Sequence, residues 1–377
     1  MHHNYIKGLD GLRGLAAVAV FATHYDQIIF IDQTLGIFDL GQLFENGKFA
    51  VSLFFTLSGF LLSQPYWEYL LYSAPKPDIK TFLIHRLLRI IPAYYLCLTA
   101  LLFVQNGWHI NFKNPDIWLH YLFLFNFTEF SIFSINSVFW TVAVEMQFYF
   151  LLPSLFIVLR RFINHAGLIM LFIILIAYGI HYFLTHTINQ HIMWPRDNHL
   201  TWVRVHGAVI SHSILAHLPH FVMGIFAAWF IKKQQNKAGY KRLTYELVFT
   251  LACLLLFIIL STPVYDDITI PSGRYGFPVA SMLITLIIIS TPQSLVAVTI
   301  LDSVLLRKLG QISYGVYLYH LPVLNYLDST LQNAGYDIVK YPFLFAISSF
   351  ILTLIIASVS YRFFERPILN KIRQKQA

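Results

Sequence analysis

Charge is what this sequence has least of. Only 12% of its 377 residues are charged and 57% are hydrophobic. Soluble domains run near a quarter charged, so that class is excluded and the chain reads as a polytopic membrane protein. Cysteine is nearly absent. Cys97 and Cys253 each lie in an apolar run, which argues against a disulfide framework and a zinc site. The histidines and carboxylates are not spaced as ligands, so no metal is expected. No Walker loop, Rossmann fingerprint, HExxH or GxSxG occurs. A cleavable leader is not expected either, because Arg13 interrupts the first apolar run. The net charge of +8 would suggest nucleic acid in a soluble protein. In a membrane chain basic cytoplasmic loops explain it, and no nucleic-acid partner is expected.

What is abundant is apolar sequence in runs of spanning length, about 20 residues each. Ten runs qualify: 9–31, 49–72, 88–106, 137–159, 166–186, 207–231, 244–262, 275–292, 309–328 and 342–364. The expected fold is an all-α, polytopic transmembrane helical bundle of about ten spans, a single domain over 1–377 with no appended soluble domain. With the N-terminus inside, twenty of the 26 Lys and Arg fall on the inner side, which predicts cytoplasmic termini. Residues 115–127 are aromatic but short and read as interfacial or re-entrant. The outer loop 187–206 is rich in His, Trp and Asn. It reads either as a sugar-binding loop or as an aromatic belt with solvated polar residues. Aromatics at 17% fit both belts and wide internal packing.

Ionisable residues within spans are costly and tend to face the bundle interior and a functional path. Arg13 and His24 share the first span. Eleven residues apart, they are separated by roughly 1100°, about 20° from three full turns, and by roughly 16 Å along the axis. One face therefore carries a cation near the inner end and an imidazole much deeper. His24 can move a proton near neutral pH; the competing reading is a buried histidine bonded to a carbonyl. Glu145, in SVFWTVAVEMQFYFLLP, lies at roughly His24's depth and could orient or charge-balance the imidazole, or serve packing. Trp140, Thr141 and Gln147 flank it. Arg86 and Arg89, three apart on one helical face, could hold phosphate bidentately or simply anchor at the cytoplasmic boundary. Ser313, Tyr317 and His320 share a face in GQISYGVYLYHLP. Ser58, beside Gly59, sits mid-span where helices can approach closely. Glu365, between Arg362 and Arg366, reads as a structural ion pair.

Six stretches, taken in order, resemble the acyltransferase-3 family of membrane O-acyltransferases: LDGLRGLAAVAVFATHY, FFTLSGFLLS, RLLRIIPAYY, FWTVAVEMQFYFLLP, ISYGVYLYHLP and the terminal FFERP. The family often shows FWSLSVEEQFY. Here Thr141 replaces the Ser and Met146 the second Glu, leaving Glu145 as the carboxylate. The resemblance implies transfer of acetyl from cytoplasmic acetyl-CoA, as substrate and not bound cofactor, to a hydroxyl of a cell-surface polysaccharide such as lipopolysaccharide O-antigen. It places the protein in the bacterial inner membrane, in contact with the lipid bilayer. Arg86 and Arg89 would bind the donor and Arg13 help position it. His24 would act as general base or carry the acyl group transiently, and Glu145 would orient His24. Ser58, Trp140, Thr141, Tyr317 and His320 would support the site. A proton-coupled transporter or exporter is the alternative class, in which Arg13, His24 and Glu145 line a path. No internal repeat favours it.

Overall fold

A computed structural model describes residues 5–191, 208–234, 242–262 and 278–374. They form α1 (Leu9–Ile29), a two-strand hairpin (Thr34–Leu35 and Phe38–Asp39), α2 (Leu40–Glu45), α3 (Ala50–Tyr72), α4 (Ile79–Asn106), α5 (Pro115–Tyr121), α6 (Trp140–Arg161) and α7 (Ala166–His191). There follow α8 (Ile214–Gln234), α9 (Arg242–Ser261), α10 (Val279–Ser290), α11 (Leu295–Leu301), α12 (Val304–Asn333), α13 (Pro342–Ser360), a π turn (Tyr361–Glu365) and α14 (Arg366–Gln374). The all-α expectation holds among the described residues, the hairpin being the sole sheet there.

Seven of the described helices are long and apolar enough to cross a membrane. The pair α10–α11, bent by 93°, makes an eighth if it counts as one span. Two of the ten expected spans are absent from that set, and they are α1 and α12. The reason is their content: Asp10, Arg13, His24 and Asp26 on α1, and Arg307, Lys308, His320 and Asp328 on α12. Both helices are long, 21 and 30 residues, and His24 and His320 meet between them. The expected start of the third span at 88 also shifts. Asp78 caps the helix by accepting from the Thr81 amide at 2.8 Å, so α4 begins at Ile79 and carries both Arg86 and Arg89. The aromatic segment 115–127 is indeed too short to span, forming α5 and a single 3-10 turn at Phe125–Phe127. Most of loop 187–206, including its sugar-binding reading, lies outside the described residues.

Two helix pairs meet backbone to backbone. A Cβ added at Gly59 of α3 would overlap the Phe221 carbonyl of α8, and one at Gly224 would overlap the Thr56 carbonyl of α3. Gly14 of α1 and Gly310 of α12 make the same reciprocal approach, to the Leu306 and Asp10 carbonyls, while Gly11 meets Leu301 at the end of α11. Association in lipid depends on such close packing, because apolar burial between helices gains little where the solvent is itself apolar. Aromatic rings fill the wider gaps: Phe148 stacks on Phe221 at 3.9 Å and Tyr66 on Phe156 at 4.6 Å. α7 and α9 lie at the periphery, with only 17% of their apolar stretches buried against 67% for α2–α3. Their exposed Leu168, Leu171, Phe172 and Leu175, and Leu247, Leu251, Leu254 and Leu255, recur at helical spacing and form outward apolar stripes.

Candidate functional site

The site is built where α1 faces α12, α4 and α6. The glycine contacts of α1 and α12 set their register, and that register brings His24 against His320. The His320 Nε2 lies 3.2 Å from the His24 Nδ1, with ring centroids 4.9 Å apart. The His24 Nδ1 also lies 2.9 Å from the Val20 carbonyl, one turn earlier. The His320 Nδ1 lies 2.7 Å from the Tyr317 carbonyl and 3.2 Å from that of Val316. His320 is 1% exposed, whereas His24 keeps partial access. Beside the pair, Thr141 of α6 donates to the Tyr317 hydroxyl at 2.8 Å, and that hydroxyl donates to the Val138 carbonyl at 3.1 Å. Two predicted residues thus tie α12 to α6.

Toward the N-terminal end of α1 the chemistry changes from imidazole to guanidinium. Arg13 lies within Coulombic reach of Arg89, Arg86 and Glu145, and of Asp10 on its own helix, 3.5 Å away. Arg86 in turn feels Tyr149, Arg89 and Glu145. The Glu145 Oε1 accepts from the Ser58 hydroxyl at 2.9 Å and from the Tyr149 hydroxyl at 2.6 Å. Arg13, Ser58, Arg86, Arg89 and Glu145 are all intermediate in exposure, although they sit on bundle helices and meet across them. Three guanidinium groups converge there beside Asp10 and Glu145, and their planar forks suit an anion that can take bidentate contacts.

One expected partnership is replaced. Glu145 was expected to orient His24, but it belongs to the arginine end of the site. Equal depth along the membrane does not choose a neighbour. α6 meets α3 and α4, while α1 lies along α12, so the carboxylate receives Ser58 and the imidazole receives His320. Trp140 also falls apart from the imidazoles. It is buried, packing at 4.9 Å on His217 and 4.6 Å on His212. Gln147 instead donates to Asn126 at 2.9 Å, holding the outer segment onto α6.

Sequence reasoning passed over two groups and misplaced a third. Tyr149 is one turn beyond Glu145 on the same face, and that spacing was available. His217 and His220 lie three apart within an apolar run, itself a signal; the His220 Nδ1 is 2.8 Å from the Ser281 hydroxyl. Glu365 had been read with Arg362 and Arg366. The π turn instead carries it inward, to 5% exposure, beside Ser360 and within Coulombic reach of Arg89. π turns of this kind are frequent at functional sites.

With that geometry in place, comparison with known proteins is decisive. A family model described as an acyltransferase domain matches residues 6–362. The chain belongs to the acyltransferase-3 family. Among curated members, O-acetyltransferase OatA of Staphylococcus aureus (strain NCTC 8325 / PS 47) is 28% identical over 97% of this chain and 58% of its own length. YrhL of Bacillus subtilis (strain 168), provisionally named a peptidoglycan O-acetyltransferase, is 26% identical over 97% of this chain and 55% of its own. The chain therefore spans between half and two thirds of the acyltransferase-3 relatives it matches. No solved structure matches it. Membership in this family, with O-acetyltransferases among the relatives, agrees with a bundle of membrane-length helices.

Proposed function

We propose that the protein transfers an acetyl group from cytoplasmic acetyl-CoA to a hydroxyl of a cell-surface glycan, from a ten-span bundle with both termini cytoplasmic in the bacterial inner membrane. The observation that supports this is the pair of groups that α1 presents to the bundle, Arg13 near Arg86 and Arg89 of α4 and His24 against His320 of α12. Arg86, Arg89 and Arg13 suit the phosphates of a CoA donor. His24 suits the acceptor hydroxyl, because its Nε2 has no partner among the described residues while Nδ1 is engaged. In the transfer, the hydroxyl proton passes to the His24 Nε2 as the acceptor oxygen bonds the acyl carbon. The carbon–sulfur bond breaks, and the proton passes on to the departing sulfur to give the free thiol of CoA. Glu145, fixed by Ser58 and Tyr149, offsets the charge of the arginines. Direct transfer needs no acyl-histidine; a transient acyl-His24 is the other route by which the same residue would act.

The acceptor expected from sequence is lipopolysaccharide O-antigen. The Bacillus relative's name points instead to peptidoglycan, and both are glycans presented outside the membrane. The test is purified protein in proteoliposomes, given acetyl-labelled acetyl-CoA and, separately, peptidoglycan or lipopolysaccharide fragments. Label on one glycan, with stoichiometric release of CoA, supports the proposal and names the acceptor. Glycan or small-molecule movement without consumption of acetyl-CoA would instead support transport.

A further inference from the structure

We propose that His320 is a positioning residue that fixes the proton of His24 on Nδ1, so that Nε2 is the nitrogen presented to the acceptor hydroxyl. This rests on the assignment of His24 as the base. Each ring's partners determine its tautomer. The His320 Nδ1 faces two carbonyl oxygens, of Tyr317 at 2.7 Å and Val316 at 3.2 Å. Only an N–H is stable there, since a lone pair would face lone pairs. Neutral His320 therefore has an unprotonated Nε2, an acceptor. That acceptor meets the His24 Nδ1 at 3.2 Å, and the Val20 carbonyl, a second acceptor, meets the same nitrogen at 2.9 Å. Two acceptors converge on one nitrogen, so His24 carries its proton there, and its Nε2 has the lone pair.

The two imidazoles are not interchangeable. His24 is partly accessible and His320 is 1% exposed, so only His24 can touch an acceptor. When His24 takes the acceptor's proton on Nε2, its Nδ1–H remains held by His320 and Val20. His320 gains no proton and nothing is oxidised. Its placement comes from α12 itself. The Tyr317 hydroxyl is tied to Val138, and Tyr319 bonds Ser360 at 3.0 Å, so the helix that supplies the Tyr317 carbonyl is anchored on both sides.

The test compares His320→Leu, His320→Gln, His320→Asn and His24→Ala with wild type in cells. The readout is the initial rate at which base-labile acetate accumulates on purified envelope glycans, scaled to folded protein by gel filtration in detergent. The Gln amide reaches about as far as the histidine Nε2 and offers an acceptor there; the Asn amide stops near Nδ1. His24→Ala is expected to abolish the signal. His320→Leu is expected to slow it about tenfold, equivalent to about 1.4 kcal/mol of barrier. His320→Gln should return to within about threefold of wild type, and His320→Asn should stay with the Leu variant, because one hydrogen bond at the Nε2 position separates them. Inactive His24→Ala with wild-type His320→Leu overturns the positioning role alone. Active His24→Ala overturns the base assignment beneath it. If His320→Leu fails to fold, equal rates for Gln and Asn overturn the proposal.

Discussion

Arginine truncation on α4 tests how the donor is held. Arg86 and Arg89 share one helical face, both are partly accessible, and Arg13 lies within Coulombic reach of both. A charge-assisted hydrogen bond is worth roughly 1.5–3 kcal/mol. At about 1.4 kcal/mol per decade, Arg86→Ala or Arg89→Ala should weaken acetyl-CoA binding about 10- to 100-fold. Arg86 already attracts Glu145 and Arg89 already attracts Glu365, so part of each donor contact comes at the expense of an existing interaction. The lower half of the range is therefore expected. Replacing Arg with Lys keeps the charge but not the fork, and should fall between wild type and Ala. The assay is titration calorimetry on detergent-purified protein, with acetyl-CoA and its 3′-dephospho form. An arginine that holds the 3′-phosphate loses its effect with the dephospho donor, while one that holds the pyrophosphate does not; the two ligands and two proteins form a double-mutant cycle. Folded Ala variants at both positions that bind acetyl-CoA as wild type does would refute the assignment.

Glu145→Gln removes a negative charge from among three cations. Thermal stability without donor should fall by about 1–3 kcal/mol, and the further stabilisation gained on adding acetyl-CoA should exceed that of wild type. An unchanged melting temperature with unchanged donor response would place Glu145 outside the cluster. Gly224→Leu, at the α3–α8 crossing where a Cβ meets the Thr56 carbonyl, should destabilise by at least about 1–3 kcal/mol; gel-filtration yield of a folded species equal to wild type would contradict the backbone contact. His120 lies outside the spans, its Nδ1 2.9 Å from the Asp116 carbonyl and 3.2 Å from its carboxylate, and its Nε2 buried without a partner. Burial pushes its pKa below the ordinary 6.5, against the pull of Asp116. The unfolded chain then binds the proton more readily, so stability falls as pH drops below about 6.5, by at most about 1.4 kcal/mol per unit. Melting at pH 7.5 and 5.5 should show a smaller acid loss for His120→Gln than for wild type; an equal loss would refute it.

Much of the bundle was legible in the chain itself. Run length located the lipid-facing helices well, because α7 and α9 are apolar for most of their circumference. It also marked α1 and α12, whose polar residues keep both out of the set of helices apolar enough to cross a membrane by composition. The one-face spacing of Arg13 and His24 held, since it depends only on helical geometry: both turn into the bundle, one to the arginines and one to His320. The partner of Glu145 was not legible. Helical periodicity gives a residue its face and depth, and neither specifies which helix lies opposite. That choice depends on Gly14, Gly310, Gly59 and Gly224, whose contacts appear only once the helices are paired. Glu365 was misassigned for a related reason: a π turn adds a residue to the helical repeat, and α-helical spacing then predicts the wrong face.

Mass spectrometry of surface glycans from three strains tests the central claim most directly: wild type, a deletion, and the deletion carrying a well-folded His24→Ala. Acetyl groups should be present in the first, absent from the second, and absent from the third. Full acetylation restored by His24→Ala would show that His24 is packing rather than chemistry, and would contradict the catalytic account of the site.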